Sequence, residues 1–480
     1  MVVPAVWIRL LLGIYLVFLV GADGTVTNPA DPDLWHRLAV GEVLWKTGHF
    51  PSGDAFSYLY DYKRVIDHEW GCAALFYAFY QWRGMDVFVL VKLVNLGLTL
   101  ALLVYAGLPN RGLSMYTTAF YALVLLALLP SFQGAVGCTT YTHIFFALWL
   151  LWFQRERHGY PVPLYLYIVT MILWANLHGG FAIGLAWLFL AGLVELIYGG
   201  LWQRWVIRFA CCALATMVNP FGPELWVSTG RALLITRRGF GEWAPVSWWP
   251  DVMAYPGYKL LFLGLLVALI GQLARKGWKE VDRPAFTLLF FFMFLSMTSA
   301  RHTSLFAAVA GALAPGLFQR IPEVRRTYNP VHRLGAMALG TVLLIIPCYS
   351  ALIILPIGAG LSLEYPRVSC PADAVGYLLR QNVRGNLLVP FNYGSYALWQ
   401  LRGRMRVSMD GRYDLVYRPE TYQRVDDFFG GRGDWRKLLS VPDAILVPKA
   451  DPVYALLLQQ PGWKVVYQDD TDTIFMPLLR

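Results

Sequence analysis

The sequence predicts a polytopic α-helical membrane protein with about eleven spanning helices and a small α/β domain, residues 359–480, outside the lipid. Three observations lead there. Of 480 residues, 57% are hydrophobic and 15% charged, with a mean hydropathy of +0.48, whereas a soluble globular protein carries about 25% charged residues. Apolar runs recur along the first three quarters of the chain, separated by short basic loops. From Ser362 onward that pattern gives way to short strands alternating with helices.

A spanning helix needs about 20 mostly apolar residues. The first candidate is Val6–Val20. Its Val-Gly-Ala ending at Ala22 resembles a cleavage site, but no charge precedes Arg9, so it is read as a retained span. Further spans centre near Leu98, Leu125, Leu148, Ile168, Phe189, Ala213, Leu265, Phe291, Ala308 and Ile345. The 19 Trp and 27 Tyr suit a chain with many membrane–water interfaces, where amphipathic rings settle.

The formal net charge is +10, and its distribution sets an orientation. One set of loops carries Arg111; Arg155 and Arg157; Arg204 and Arg208; Arg275, Lys276, Lys279 and Arg283; and Arg320, Arg325, Arg326 and Arg333. By the positive-inside rule these face the cytoplasm. The chain is therefore read as a multi-pass membrane protein with a cytoplasmic N-terminus and an extracytoplasmic C-terminal domain. Residues 1–358 form the membrane domain, with large outside loops at 22–84 and 219–257. No basic patch outside the lipid is interleaved with stacking aromatics, which argues against nucleic acid. The six cysteines, Cys72, Cys138, Cys211, Cys212, Cys348 and Cys370, form no CxxC pair, so neither a zinc site nor a disulfide framework can be read.

In the C-terminal domain, Pro371–Leu379 and Asp451–Gln460 read as helices. Asn386–Pro390, Met405–Met409, Ala444–Val447, Lys464–Tyr467 and Thr473–Met476 read as strands. The alternation argues for a small α/β layer.

The densest polar chemistry lies in the first outside loop, Asn28-Pro-Ala-Asp31-Pro-Asp33-Leu-Trp-His36-Arg37. Asp31 followed by Pro32 is an N-cap with a favoured first helical residue, and Gly48 is a stop. Leu34, Leu38, Leu44 and Trp45 recur on roughly one face, which predicts an amphipathic helix lying in the membrane interface. Asp33 and His36 share a face, and Asp33 can pair with Arg37 four residues on. A second acidic cluster, Asp67-His68-Glu69-Trp70, precedes another apolar stretch. Each cluster alone is also explained as a helix start favouring negative charge; two His-containing acidic clusters in one loop are harder to explain that way.

An acidic pair just after the first span resembles the GT-C superfamily of membrane glycosyltransferases, which includes protein O-mannosyltransferases and oligosaccharyltransferases. The segment Asp31–Trp70, with Asp-Pro-Asp-Leu-Trp-His, Gly48-His-Phe-Pro51, Asp54-Ala-Phe-Ser-Tyr58 and Asp67-His-Glu-Trp70, also resembles a family of large bacterial membrane proteins placed there. Trp174-Ala-Asn-Leu-His-Gly-Gly180, Asn219-Pro-Phe-Gly222, Glu242-Trp243 and Asp410-Gly-Arg412 extend the match along most of the chain, and their order is a stronger signal than any one motif. Phe391-Asn-Tyr-Gly-Ser-Tyr396 is similar to the Trp-Trp-Asp-Tyr-Gly motif of oligosaccharyltransferases without its tryptophans or Asp; a tight turn is the simpler expectation there.

The resemblance implies a GT-C-like enzyme that takes a sugar from a polyprenyl-phosphate donor in the membrane and passes it to a protein or glycan acceptor, usually with inversion. An acid takes the acceptor's proton, and positive charge or a metal supports the leaving phosphate. Mapped onto this chain, Asp31 or Asp33 is the base, Asp33 favoured for the face it shares with His36. His36, His68, Glu69, His178 and Glu242 are candidate substrate contacts. Arg301 and His302, at a span end, or Arg231, Arg237 and Arg238 in the second loop, are candidates for the phosphate. Metal-dependent oligosaccharyltransferases carry a second acidic motif in the next outside loop. Gln133–Thr142 has no acid, so a divalent metal is doubtful and would fall to Asp67 and Glu69. A lipid or glycan transporter or flippase would show charges in spans and repeated halves; Lys92 is one such charge, but no repeat is visible. A non-catalytic assembly protein keeping the fold is the third reading.

Overall fold

The computed structural model describes residues 12–21, 28–50, 54–62, 65–108, 114–132, 136–234, 241–249, 251, 254–319 and 362–478. The start of the first predicted span, the span centred on Ile345, Cys348, and the candidates Arg237 and Arg238 lie outside the described residues. The chain divides into two units: Met1–Asn28, Phe88–Gly222 and Thr236–Ser362 in one, and Pro29–Val87, Pro223–Ile235 and Leu363–Arg480 in the other.

The first unit is helical. The apolar centres from Leu98 to Ala308 fall in turn in helices Val87–Gly107, Met115–Leu128, Thr139–Arg157, Leu164–Leu177, Phe181–Ile197, Trp202–Ala215, Pro256–Lys276, Arg283–Ser296 and Thr303–Gln319. Among the described residues, Val87–Gly107, Met115–Phe132 and Pro256–Lys276 are long and apolar enough to cross a membrane. Leu12–Gly21, Leu164–Leu177, Phe181–Ile197 and Arg283–Ser296 are shorter apolar helices. Local chemistry sets the ends. Ser114 forms a capping box with Thr117, and Asp282 caps the Arg283–Ser296 helix while accepting from Arg157 Nη2 at 2.6 Å. Helix Thr303–Gln319 packs against Met115–Leu128, Thr139–Arg157, Pro256–Lys276 and Arg283–Ser296. Its buried Ala307, Ala308, Ala310, Ala312 and Ala314 allow the close approach that small residues give between membrane helices, and the Tyr121 hydroxyl reaches the Gly311 carbonyl at 3.0 Å.

The second unit is built on a five-stranded sheet: β1 Gly385–Leu388, β2 Met405–Val407, β3 Ala444–Pro448, β4 Trp463–Gln468 and β5 Asp472–Pro477. The order is β2-β1-β3-β5-β4. β1 runs parallel to β2 and β3, while β5 is antiparallel to β3 and β4. Each predicted strand is present within two residues of its expected ends. The helices expected at Pro371–Leu379 and Asp451–Gln460 run over Ala372–Arg380 and Val453–Leu458. Segment 391–396 is not a turn but the first half of helix Phe391–Gln400, whose buried Tyr393, Tyr396, Ala397, Leu398 and Trp399 supply the apolar contact that its Gly394 and Ser395 do not. Pro419–Phe429 forms a further helix that buries Val425, Phe428 and Phe429.

Most of the segment expected to form the first outside loop falls in this unit, as Pro29–Val87. Helix Pro32–Thr47 starts at Asp31, whose Oδ1 accepts from the Asp33 amide at 2.8 Å, and stops at Gly48, which takes φ 70°. It does not lie as an amphipathic helix in an interface. Leu34 through Gly41 are all buried, packed against helices Trp70–Arg83 and Phe391–Gln400. Trp35 meets Tyr396 edge-on at 5.0 Å, and Arg402 Nε donates to Glu42 Oε2 at 2.6 Å.

Residues 54–62 run along the free edge of β2. The Val407 amide donates to the Phe56 carbonyl at 2.9 Å and the Tyr58 amide to the Val407 carbonyl at 3.1 Å. A buried ion network clamps this strip. Arg412 donates to both oxygens of Asp54, at 3.1 and 2.8 Å, and to both of Asp410, at 2.8 and 2.7 Å. The Tyr417 hydroxyl donates to Asp410 at 2.9 Å. Burial opposes a charge on Asp410, but the Arg412 guanidinium overcomes it and holds the carboxyl below the usual range. Removing one member of a buried charge network leaves the rest uncompensated, a loss of about 3–5 kcal/mol. Arg412→Met is therefore expected to lower unfolding stability in detergent by that amount. Adding Asp54→Asn and Asp410→Asn to it is expected to restore part of the loss, as read by thermal or denaturant melts.

Candidate active site

Helix Pro32–Thr47 carries the candidate residues at its N-terminal end, and its geometry separates the two acids. Asp31 is engaged as the cap. Asp33, two residues on, keeps its side chain 58% exposed, with its carboxylate 3.8 Å from Nδ1 of His36, whose side chain is 1% exposed. His36 Nδ1 also meets Ser395 Oγ at 3.2 Å, and Ser395 Oγ accepts from the Gly411 amide at 2.9 Å. A Cβ on Gly411 would collide with Asp33 Oδ1 and come within 2.9 Å of Ser395 Oγ and 3.0 Å of His36 Nδ1. Three side chains from two distant stretches of sequence thus converge on the bare Cα of Gly411. Burial, aided by the Arg37 cation, pushes His36 well below its ordinary pKa of 6.5. The ring is neutral at physiological pH, so it holds a place for Asp33 without neutralising it.

The spacing of Asp33 and Arg37 predicts a pair, but Arg37 turns to the second acidic cluster. Its Nη1 donates to both oxygens of Asp67, at 2.8 and 3.0 Å, and its Nη2 pairs with Glu69. Asp67 Oδ1 also accepts from the Glu69 amide at 2.9 Å, which orders the turn before helix Trp70–Arg83. His68 Nε2 lies 3.7 Å from Glu69 Oε1. The two acidic clusters of the first loop are therefore joined by one buried guanidinium. Asp67 and Glu69 do not fit a divalent ion here, because the Arg37 cation already bridges them. Among the described residues no group of three or more His, Cys, Asp or Glu gathers to hold a metal.

The remaining candidates divide between the units. Arg231 is exposed in helix Glu224–Leu234 of the same unit as Asp33, with its guanidinium over the Tyr62 ring at 5.7 Å. That helix packs on the 3-10 turn Tyr413–Leu415. Glu242, Arg301, His302 and His178 are in the other unit. Arg301 Nη1 is 3.4 Å from Glu242 Oε1, and its guanidinium lies over Trp243 at 4.6 Å. The Ser299 hydroxyl and the Ala300 amide donate to the carbonyls of Glu242 and Ala244 at 2.9 Å, so the second loop is pinned to the Ser299–Thr303 turn. His302 Nδ1 meets Thr298 Oγ1 at 3.0 Å. His178 Nδ1 meets Thr142 Oγ1 at 2.7 Å and accepts from the Gly180 amide at 2.9 Å, a local packing arrangement at a helix junction. Ser395 and Gly411 went unrecognised as site residues, although each lies in a motif singled out in the sequence.

The His36 shift gives a pH dependence. Its folded pKa lies below its unfolded one, so the unfolded chain binds more protons in between and stability rises with pH across that window. The stability contributed above pH 6.5 is lost as pH falls toward the folded value. The wild-type melting temperature is expected to fall more steeply than that of His36→Gln between neutral pH and about pH 5; parallel profiles would contradict a buried neutral His36.

No protein-family model matches the sequence, and no curated protein matches it. The structure is similar to that of the arabinofuranosyltransferase AftD from mycobacteria, with a TM-score of 0.55 and 15% identity over 100% of this chain and 40% of that one. The chain thus spans 40% of the length of AftD. It is also similar to ArnT from Cupriavidus metallidurans. Bound to undecaprenyl phosphate, ArnT gives a TM-score of 0.53 at 14% identity; in the apo state it gives 0.58 at 13%, with 98% of both chains covered in each case. At these identities the likeness is one of fold alone, and it extends over nearly the whole chain.

Proposed function

We propose that the chain is a membrane glycosyltransferase that moves a sugar from a polyprenyl-phosphate-linked donor to an acceptor on the outer face of the cell's inner membrane, by inversion, with Asp33 as the base. The observation that carries this is the exposed Asp33 carboxylate, set against the buried neutral His36 in a chain with the GT-C fold. ArnT, which shares that fold, was solved bound to undecaprenyl phosphate, which supports a donor of this kind.

In the reaction the acceptor hydroxyl gives its proton to Asp33 as its oxygen attacks the anomeric carbon. The bond from that carbon to the phosphate oxygen breaks, and polyprenyl phosphate leaves with the electron pair. A carboxylate serves as base by geometry first, and the Asp33 side chain is exposed, whereas Asp31 serves as the helix cap. His68 and Glu69 are the candidates for orienting the acceptor. The departing phosphate calls for a cation held near it. Arg231, exposed beside Tyr62, and Arg301, partly exposed over Trp243, are the candidates within the described residues.

The test is sugar transfer or release from a panel of polyprenyl-phosphate sugars by the purified protein in lipid. Asp33→Asn is expected to lower turnover by about 10²–10⁴-fold with donor binding kept. Asp31→Asn, which keeps a good capping residue, is expected to stay within about tenfold of wild type. Equal losses in the two variants, or a fully active Asp33→Asn, would remove Asp33 from the role. Arg231→Ala and Arg301→Ala are expected to raise the donor KM, and the larger rise identifies the phosphate contact. A wild type that binds donors yet turns over none, with any acceptor supplied, would favour a protein that keeps the fold without the chemistry.

A further inference from the structure

The seat of the Asp33 carboxylate is made by residues more than 350 positions away. Ser395 comes from helix Phe391–Gln400 and Gly411 from the loop after β2. Ser395 is 2% exposed and His36 1%, and neither can swing away without breaking helix packing on both sides. The Gly411 amide fills one lone pair of Ser395 Oγ, which leaves the rest of the hydroxyl for His36 Nδ1. His36 Nε2 is buried with no hydrogen-bond partner, so the Ser395 contact fixes the ring orientation without competition from another partner. Asp33 alone of the three is exposed, and its Oδ1 lies over the Gly411 Cα. A side chain at 411 would therefore press hardest on the Asp33 carboxylate and also crowd Ser395 and His36.

We propose that Ser395 and Gly411 are positioning residues: Ser395, seated by the Gly411 amide, orients His36, and His36 together with the bare Cα of Gly411 holds the Asp33 carboxylate where it takes the acceptor proton. This rests on the reading of Asp33 as base. It gives the C-terminal segment a definite part in the reaction, because the site around Asp33 is incomplete without it.

Two readouts on the full chain in lipid test the proposal. The first is carbodiimide labelling of Asp33, followed by mass spectrometry, which needs no turnover. Ser395→Ala and Gly411→Ala are expected to change the labelling rate of Asp33 severalfold, while exposed Glu242, in the other unit, labels at the wild-type rate. Ser395→Thr, which keeps the hydroxyl, is expected to restore the wild-type rate. The second readout is turnover. Misplacing a reacting group by about 1 Å costs up to about 10²-fold, so Ser395→Ala and Gly411→Ala are expected to lower kcat by about ten- to a hundredfold with the donor KM unchanged and a shifted acid limb of the pH profile. In an Asp33→Asn background Ser395→Ala is expected to lower the residual rate no further, because both changes act through one group.

Unaltered Asp33 labelling in both variants overturns the proposal. So does a Ser395→Ala loss that is the same with and without Asp33. Altered labelling in a protein that turns over no donor upholds the seat and instead overturns the glycosyltransferase reading.

Discussion

A charge removed from water must be matched within the protein, and in the second unit that constraint organises everything around it. Arg412 is almost fully buried, and Asp54 and Asp410 together satisfy it, sharing its Nη2. Asp54 lies between helices Pro32–Thr47 and Trp70–Arg83 and Asp410 in the loop after β2, so the clamp fixes two stretches that chain connectivity leaves far apart. Gly411 lies between Asp410 and Arg412. Once those two are locked, its amide and bare Cα are fixed in space, and with them the place where Ser395, His36 and Asp33 meet. Arg37 repeats the device, joining the two acidic clusters of the first loop through Asp67 and Glu69.

The consequence is a division of labour among acids. Asp54, Asp67 and Asp410 are buried against guanidinium groups, and Asp31 caps a helix. Asp33 remains exposed, one turn from a histidine that burial keeps neutral. The proposed base must reach solvent or substrate and still be held, and exposure together with the His36, Ser395 and Gly411 seat meets both demands. Buried ion networks of this kind contribute little net stability compared with apolar packing, but they can specify one arrangement over others, and a reaction centre needs a single arrangement.

Local chemistry was legible in the sequence. Asp31-Pro32 and Gly48 marked a helix that runs over Pro32–Thr47, and apolar runs bounded by Pro, Gly and Asp marked the five strands of the sheet. What the sequence did not reveal depends on tertiary burial. Helix Phe391–Gln400 was missed because Gly394 and Ser395 favour turns, and its stability comes from five buried neighbours. Helix Pro32–Thr47 read as interfacial because Leu34, Leu38, Leu44 and Trp45 recur on one face; His36 and Arg37 are buried as well, His36 against Ser395 and Arg37 against Asp67 and Glu69. Spacing paired Arg37 with Asp33, four residues away, when a carboxylate 30 residues on offered two aligned oxygens. The Asp54 and Asp410-Gly-Arg412 motifs were each visible, but nothing in local pattern says that residues 358 positions apart share a bond.

The most direct test of the account is where a reactive donor sugar lands. A polyprenyl-phosphate sugar carrying a photoreactive group on its ring, bound to the full chain in lipid and mapped by mass spectrometry, reports the residues around the anomeric carbon. Adducts are expected on the peptides that contain Asp33 and Gly411, lost when unlabelled donor competes. Competed adducts on the Glu242 and Arg301 peptides alone, with none near Asp33, would contradict it.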